Sequence, residues 1–313
     1  MPEILKVDNM GVAEPAFRTL AYLDGDLGDE RVIAGVTRLV ESFIDRFGDQ
    51  VALLMVRDKG IPPKPRKFDD KSLRLARDWL ARPEKTFASC LRMNRYPTED
   101  MNAPRAPHFR VEQNHKLVSL EISVPDVAEG LVDFADGIAD TLKTLPILSA
   151  AQGMGFYLPA ALDSLVTRFP MTFARYKTAI EITLGGPLDG IRSKGSAFPY
   201  DKHPDVRPGI ADIGWRTFVG APFLDRLPHI EKVADTDGVK LERMENMAVL
   251  TAGPVPIWGD VNRGEDISCY RAVARALAPV RYPHDVAIRS LFGGRSADPD
   301  GPERISGYLN RYA

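Results

Sequence analysis

The most distinctive chemistry in this sequence is a series of carboxylates within "PDVAEGLVDFADGIADTLK", residues 125–143. The five acids are Asp126, Glu129, Asp133, Asp136 and Asp140. On a helix that advances about 100° per residue they fall within an arc of roughly 80°, and Val127, Leu131, Phe134, Ile138 and Leu142 fall within a similar arc on the far side. The spacing predicts a helix that opens at Pro125 and Asp126, with one apolar face and one acidic face. We call the five acids the acidic stripe.

Carboxylates at this spacing could bind a metal ion, but the surrounding residue types do not favour one. Helical di-metal sites need a Glu-x-x-His motif, and this segment contains no histidine. Calcium loops place their oxygen ligands on a tight turn rather than along a regular helix. We therefore predict no metal and no cofactor.

Two interpretations of the acidic stripe remain open: ordinary solvated surface, and a docking face for a basic protein partner. Like charges four residues apart cost a helix about 0.2–0.5 kcal/mol per pair, and Glu129–Asp133 and Asp136–Asp140 are two such pairs. Residues 117–142 contain six acids and no Lys, Arg or His. A helix selected for stability alone would carry a cation late on this face, so we take the docking face as the working hypothesis.

Other residues with catalytic potential do not form a recognised motif. His203, in "YDKHPD", has Asp201 and Asp205 two residues away on either side, and a hydrolase that uses this loop is one alternative function. No GxSxG elbow or GxxxxGK[ST] phosphate loop is present. Cys90 and Cys269 belong to no CxxC motif, and we expect both to be packed as reduced thiols. We predict no catalytic residues and a protein that is not an enzyme.

Composition narrows the class of protein. The chain has 313 residues, 44% hydrophobic and 27% charged, with a formal net charge of -2. These are values of a globular protein, and the charge gives no general attraction to nucleic acid or to an anionic membrane. The first residues, "MPEILKVDNMG", do not resemble a signal peptide. We expect a cytoplasmic protein that binds neither nucleic acid nor membrane; the oligomeric state is left open.

Hydrophobic periodicity predicts a mixture of helices and strands with hairpins rather than a βαβ rhythm. We predict an α+β fold with mainly antiparallel sheet: a lead-in over 1–30, a domain over 31–292 and a tail over 293–313. The domain also fits a division into comparable sections 31–165 and 170–292. Helices are expected at 31–47, 71–82, 125–143, 161–169 and 265–277. Strands are expected at 51–57, 87–93, 108–113, 116–124, 147–158, 177–186, 210–220 and 240–253, the last forming a hairpin that turns at Glu245–Asn246.

The second half of the chain contains several short motifs. "ADIGWRTFVGAPFLDRL" (211–227) contains the Gly214-Trp215 step, followed by Thr217-Phe218 and Gly220. "AGPVPIWGDVNRGEDISCYRAVARALAPVR" (252–281) contains the "GP…P…GDVNRG" turn and a "YRAVARAL" helix. With "ITLGGPLDGIRSKGS" upstream, these residues resemble the bacterial type VI secretion immunity protein family, formerly a domain of unknown function. The resemblance covers about residues 50–292.

The resemblance implies a function that needs no catalytic residues. A member of this family would bind and neutralise a cognate effector toxin, encoded by an adjacent gene and delivered by a type VI secretion system. Many such toxins are nucleases, whose substrate grooves are basic. The acidic stripe would then dock on such a groove. A structural or adaptor protein is the main alternative.

Overall fold

A single antiparallel sheet of eleven strands forms the centre of the molecule. It is described from a computed structural model, which covers residues 2–7, 10–82, 85, 89–95, 106–114, 117–157, 175–180, 209–210, 212–281, 307 and 310–312. Each pair of neighbouring strands is antiparallel. The predicted α+β class with mainly antiparallel sheet is therefore confirmed.

The strands follow the order β10-β11-β9-β8-β2-β7-β6-β5-β3-β4, and β1 pairs with the start of β2. Their bounds are β1 Leu5–Val7, β2 Met10–Asp24, β3 Leu53–Arg57, β4 Arg66–Lys67, β5 Cys90–Asn94, β6 His108–Asn114, β7 Leu117–Pro125, β8 Ile147–Tyr157, β9 Arg216–Gly220, β10 Val239–Arg243 and β11 Met247–Ala252. The hairpin of β10 and β11 turns at Glu245–Asn246, as predicted. The sheet joins strands from both sections considered in the sequence.

The α-helices of the described part are α1 Glu30–Phe47, α2 Asp70–Leu80, α3 Leu131–Leu142, α4 Ala221–Leu224 and α5 Ser268–Ala276. Short 3₁₀ segments occupy Gly48–Gln50, Ile230–Asp235, Val261–Arg263 and Ala278–Val280. Side chains cap the first two helices. Asp29 accepts hydrogen bonds from the first turn of α1, and Asp69 forms a capping box with Ser72 at the start of α2. None of the described helices combines the length and apolar character needed to span a membrane.

Helix α3 starts later than the sequence predicts. Pro125 is the last residue of β7, and the chain turns before α3 begins at Leu131. The turn ends at Gly130, whose φ of 62° lies in the left-handed region that glycine adopts without a Cβ penalty. Asp126 and Glu129 are therefore in this turn, and the prediction that they belong to the helix is wrong. Only Asp133, Asp136 and Asp140 of the acidic stripe are helical.

The residues 1–30, which the sequence analysis left as a lead-in, supply the longest of the described strands. β2 has 15 residues and lies between β7 and β8 in the middle of the sheet. Its hydrophobic residues Phe17, Ala21 and Leu23 are buried. The sequence of β2 shows no clear alternation of apolar and polar residues, because the polar residues Glu14, Arg18 and Thr19 of this strand are also buried.

The core lies between the sheet and the helices packed on one of its faces. Phe43 of α1 contacts Phe109 of β6 with ring centroids 5.4 Å apart, and Phe47 contacts Phe134 of α3 at 5.2 Å. Gln152 of β8 donates a hydrogen bond to the backbone oxygen of Ala135, also in α3. These contacts fix α3 against β8 and thereby position its acidic face.

Candidate functional site

The helical part of the acidic stripe is exposed. Asp133, Asp136 and Asp140 all lie on the solvent face of α3, opposite the buried Ala135, Ile138 and Leu142. The side chains of Asp136 and Asp140 retain 50% and 76% of their exposed area. Asp133 lies in the first turn, where the helix dipole favours a negative charge. The amphipathic pattern read from the sequence is therefore correct for this segment.

A cleft of about 600 Å³ lies beside this face of α3, between the helix and the end of the sheet formed by β9, β11 and β10. Helix α3 supplies one wall, with Asp136, Ala139 and Asp140, and Lys143 follows at its end. The sheet side is lined by Trp215, Arg216, Gly238, Val239, Lys240, Glu242, Val249, Thr251, Gly253 and Pro254. Two of the predicted partner-binding acids, Asp136 and Asp140, thus line one cavity.

Cations from outside the helix meet these acids. Arg216 of β9 forms an ion pair with Asp136. Lys143 Nζ lies 3.2 Å from Asp140 Oδ1 and 2.9 Å from Glu242 Oε2. The cleft is consequently lined by three acids and three bases, because Lys240 of β10 is the third cation.

The pKa values of this ion-pair group follow from its contacts. The hydrogen bond from Lys143 lowers the pKa of the Glu242 carboxyl. Burial alone would lower the pKa of Lys143, but the hydrogen bonds and charges of Glu242 and Asp140 outweigh it and the pKa is raised. Both groups are therefore charged at neutral pH, and they tie the end of α3 to β10.

Trp215 anchors the base of the cleft. Its indole N–H donates to the backbone oxygen of Gly253 at 2.9 Å, and the guanidinium carbon of Arg216 lies 4.0 Å from its ring centroid. Gly214 and Gly220 sit where a Cβ would collide with the backbone of β8. The short motifs that carry the family resemblance therefore build this end of the sheet and the cleft that it borders.

The remaining two members of the acidic stripe lie away from the cleft. Burial raises the pKa of Asp126, partly offset by a hydrogen bond from the Trp258 indole. Glu129 is exposed in the turn, and its backbone oxygen accepts a hydrogen bond from Arg46 of α1. The structure thus separates the five acids into a helical group of three and a turn group of two.

The residues considered above for metal binding or nucleophilic chemistry are located only in part by the structure. Within them, no group of three His, Cys, Asp or Glu side chains is placed to hold a metal ion. Cys90 is buried and burial raises the pKa of its thiol, so the reactive thiolate is disfavoured. Asp201, His203 and Asp205 lie outside the described residues, as do the predicted helix 161–169 and most of the predicted strand 177–186.

Sequence reasoning did not identify the cations of the cleft. Arg216 is separated from Asp136 by 80 positions, and Glu242 lies 99 positions after Lys143. Lys143 also pairs with Asp140, three positions earlier, which is a contact that helical spacing alone could have predicted. The pairs with Arg216 and Glu242 have no local signal, because strand order decides them.

Comparison with known proteins identifies a shared fold. No protein-family model matches the sequence, and no curated protein matches it. The structure is similar to the "T6SS protein PA0821" of Pseudomonas aeruginosa, with a TM-score of 0.72 and 16% sequence identity. The superposition covers 99% of this chain and 89% of that chain. At this identity the similarity establishes a shared fold along essentially the whole chain.

Proposed function

We propose that this protein is a type VI secretion immunity protein, which binds a cognate effector toxin and blocks its working surface. Two independent observations support the assignment to type VI secretion. A solved structure that shares this fold is described as a T6SS protein, and the motifs around Trp215 and in 252–281 resemble the immunity family. The protein would act in the cytoplasm of the cell that makes the toxin.

The single observation that carries the proposal is the exposed acidic face of α3 beside the cleft. Asp133, Asp136 and Asp140 project from a rigid helix that packs on the central sheet. Acids on a rigid element can steer a basic partner and set its orientation. A basic substrate groove, such as that of a nuclease, is the partner surface that they would fit.

The ion pairs of the cleft do not prevent this role. The Asp136 side chain keeps 50% of its exposed area and Arg216 keeps 15%, so a cation of the partner could approach Asp136 from solvent while Arg216 stays in place. Asp140 is more accessible still, since Lys143 is closer to Glu242 than to Asp140. The cleft itself could receive a side chain of the partner, with Trp215 at its base.

Neutralisation in this scheme requires no chemical step. The protein would cover the toxin's substrate groove with an interface of about 1,600 Å², in which a few buried residues supply most of the binding energy. Electrostatic attraction would set the rate of association, and the buried contacts would set the rate of dissociation.

Co-expression with the toxin encoded by the adjacent gene tests the proposal. We expect the toxin alone to stop growth and the pair to grow normally, with the two proteins co-purifying in a 1:1 complex. Equal killing in the presence and absence of this protein would refute the pairing. Hydrolysis of a small substrate by the purified protein would refute the binding mechanism.

A further inference from the structure

Along β5, β6 and β7, the face of the sheet opposite α1 and α3 carries several charged side chains. On β6, Phe109 and Val111 point to the helices, so His108, Arg110 and Glu112 point the other way. Residues directly paired across neighbouring strands share a face. On this face, residues paired across β5, β6, β7 and β2, in that order, form three successive rows. The first row is Asn94, His108, Ser123 and Arg18, the second is Arg92, Arg110, Glu121 and Leu20, and the third is Cys90, Glu112, Ser119 and Tyr22.

Three arginines on this face already bind carboxylates. Arg18 pairs with Glu121 at 2.7 Å and Arg57 of β3 pairs with Glu112 at 2.6 Å. Arg110 also pairs with Glu112. The pairing is strong enough that the charge of Glu112 contributes to raising the pKa of Arg110 well above its ordinary value in spite of burial.

Arg92 is the exception. Its cross-strand neighbour is Arg110, a like charge directly opposite, which destabilises a sheet when nothing compensates for it. Among the residues that the structure describes, Arg92 has no ion pair and no hydrogen-bond acceptor on its side chain. The Nε atoms of both Arg92 and Arg110 are buried without an acceptor. Two guanidinium groups therefore lie side by side, and within the described residues only Arg110 has a carboxylate partner, Glu112.

We infer that Arg92 and Arg110 form a binding site for the carboxylate of a small organic acid. A carboxylate offers two oxygens to guanidinium groups, and on this face Glu112 already accepts from two different arginines, one at each oxygen. A singly charged group fits better than a doubly charged phosphate, because Glu121 and Glu112 flank Arg110 and repel further negative charge. His108 adds no charge, since burial lowers its pKa.

The site is open enough for a small ligand. The Arg110 side chain keeps 21% of its exposed area and Glu112 keeps 20%, and Arg92 is half-buried. An acid that arrives from solvent would meet a partly desolvated pair of cations, where charge-assisted hydrogen bonds are strong. This site lies on the other side of the sheet from the acidic face of α3, so it is independent of the proposed toxin-binding surface.

Thermal unfolding in acetate tests the inference. The melting temperature of the full chain is measured at pH 7 in sodium acetate, sodium phosphate and sodium chloride of equal ionic strength. We expect a saturable rise in acetate over chloride for the wild type, because a ligand that binds only the folded state stabilises it. Phosphate should give a smaller rise. No acetate-specific rise, or an equal rise in phosphate, would overturn the assignment.

Arg92→Met isolates the site. The variant should lose the acetate response, and in chloride its melting temperature should equal or exceed that of the wild type because the repulsion with Arg110 is removed. The control Arg74→Met, at an exposed position of α2, should keep the response. A retained response in Arg92→Met would refute the site. Should Arg92→Met not fold, Arg92→Lys keeps the charge without the fork and should weaken acetate binding several-fold; undiminished acetate binding by that variant would then refute the site.

Discussion

Arg216 of β9 forms an ion pair with Asp136 of α3, joining two elements that are 80 positions apart in the chain. The pair closes one side of the cleft and places a cation inside the surface that we propose binds a basic partner. The same guanidinium covers Trp215. The net charge of this surface is therefore set by the acids of α3 together with Arg216 of β9, and substitutions can make it either more negative or more positive.

Reversing the charge of the helix should slow binding. We expect Asp133→Lys, Asp136→Lys and Asp140→Lys together to reduce the association rate with the effector by about tenfold or more at low salt, since steering contributes factors of roughly 10–10³. The dependence of the rate on salt should weaken. Stopped-flow measurements at two salt concentrations would show both effects, with the melting temperature confirming that the fold persists.

A matched control for this variant is the triple change Asp49→Lys, Asp70→Lys and Asp78→Lys. These acids are exposed in the region of α2 and β3, toward the other end of the sheet. The net charge changes equally, so only the location differs. Equal slowing by both triple variants would mean that net charge, rather than the face of α3, governs association.

Removing Arg216, one of the three cations of the cleft, should accelerate association rather than slow it. Arg216→Gln leaves Asp136 without its partner and makes the surface more negative, so association with a basic effector should accelerate by roughly two- to fivefold at low salt. The gain should vanish at high salt because the charges are then screened. Arg271→Gln, an exposed change on α5, serves as the control. Slower binding by Arg216→Gln would indicate that Arg216 itself contacts the effector.

Glu121 should be important for stability. Its carboxylate accepts from Arg18 at 2.7 Å, while His108 Nε2, at 3.7 Å from the other oxygen, is too far for a hydrogen bond. Removing one partner of a buried ion pair costs about 3–5 kcal/mol. Because the Glu121 side chain keeps 19% of its exposed area, we expect Glu121→Gln to cost about 3 kcal/mol, measured by urea unfolding.

The pH dependence of this loss has a definite sign. Burial raises the pKa of Glu121, but the neighbouring His108 and the positive charges of Arg18 and Arg110 outweigh it, so the folded-state pKa lies well below the unfolded value of about 4.3. The stabilisation is then fully present above about pH 4.3 and declines as the pH falls toward the folded pKa. The difference between wild type and Glu121→Gln should shrink below pH 4. A difference that grows on acidification would contradict this, and Glu231→Gln is an exposed control.

Gly220 should tolerate no side chain. A Cβ at this position would lie 1.9 Å from the backbone oxygen of Ile147 in β8. We expect Gly220→Ala to destabilise the fold by about 3 kcal/mol or more, since a backbone clash cannot be relieved by a rotamer change. Gly137→Ala on α3 is the matched control: nothing lies within 4 Å of its Cβ, and alanine should stabilise the helix by up to about 1 kcal/mol. Equal unfolding midpoints for the two variants would refute the packing argument.

Local signals in the sequence were sufficient to predict several elements of the fold. Helical spacing located α1 and α2, alternation located β7, and the turn at Glu245–Asn246 located the hairpin of β10 and β11. The apolar and acidic faces of α3 followed from the same periodicity. These features depend on neighbours within a few positions, which the sequence displays directly.

The start of α3, the central position of β2 in the sheet and the surroundings of the acids could not be predicted locally, because they depend on contacts between distant parts of the chain. The left-handed turn at Gly130 delays the helix, and burial of polar residues such as Arg18 hides the strand. The pairing of Arg216 with Asp136 and of Lys143 with Glu242, and the juxtaposition of Arg92 and Arg110, arise from strand order and register. Contacts of this kind join residues remote in the chain, and a one-residue change of register would send every side chain of a strand to the other face.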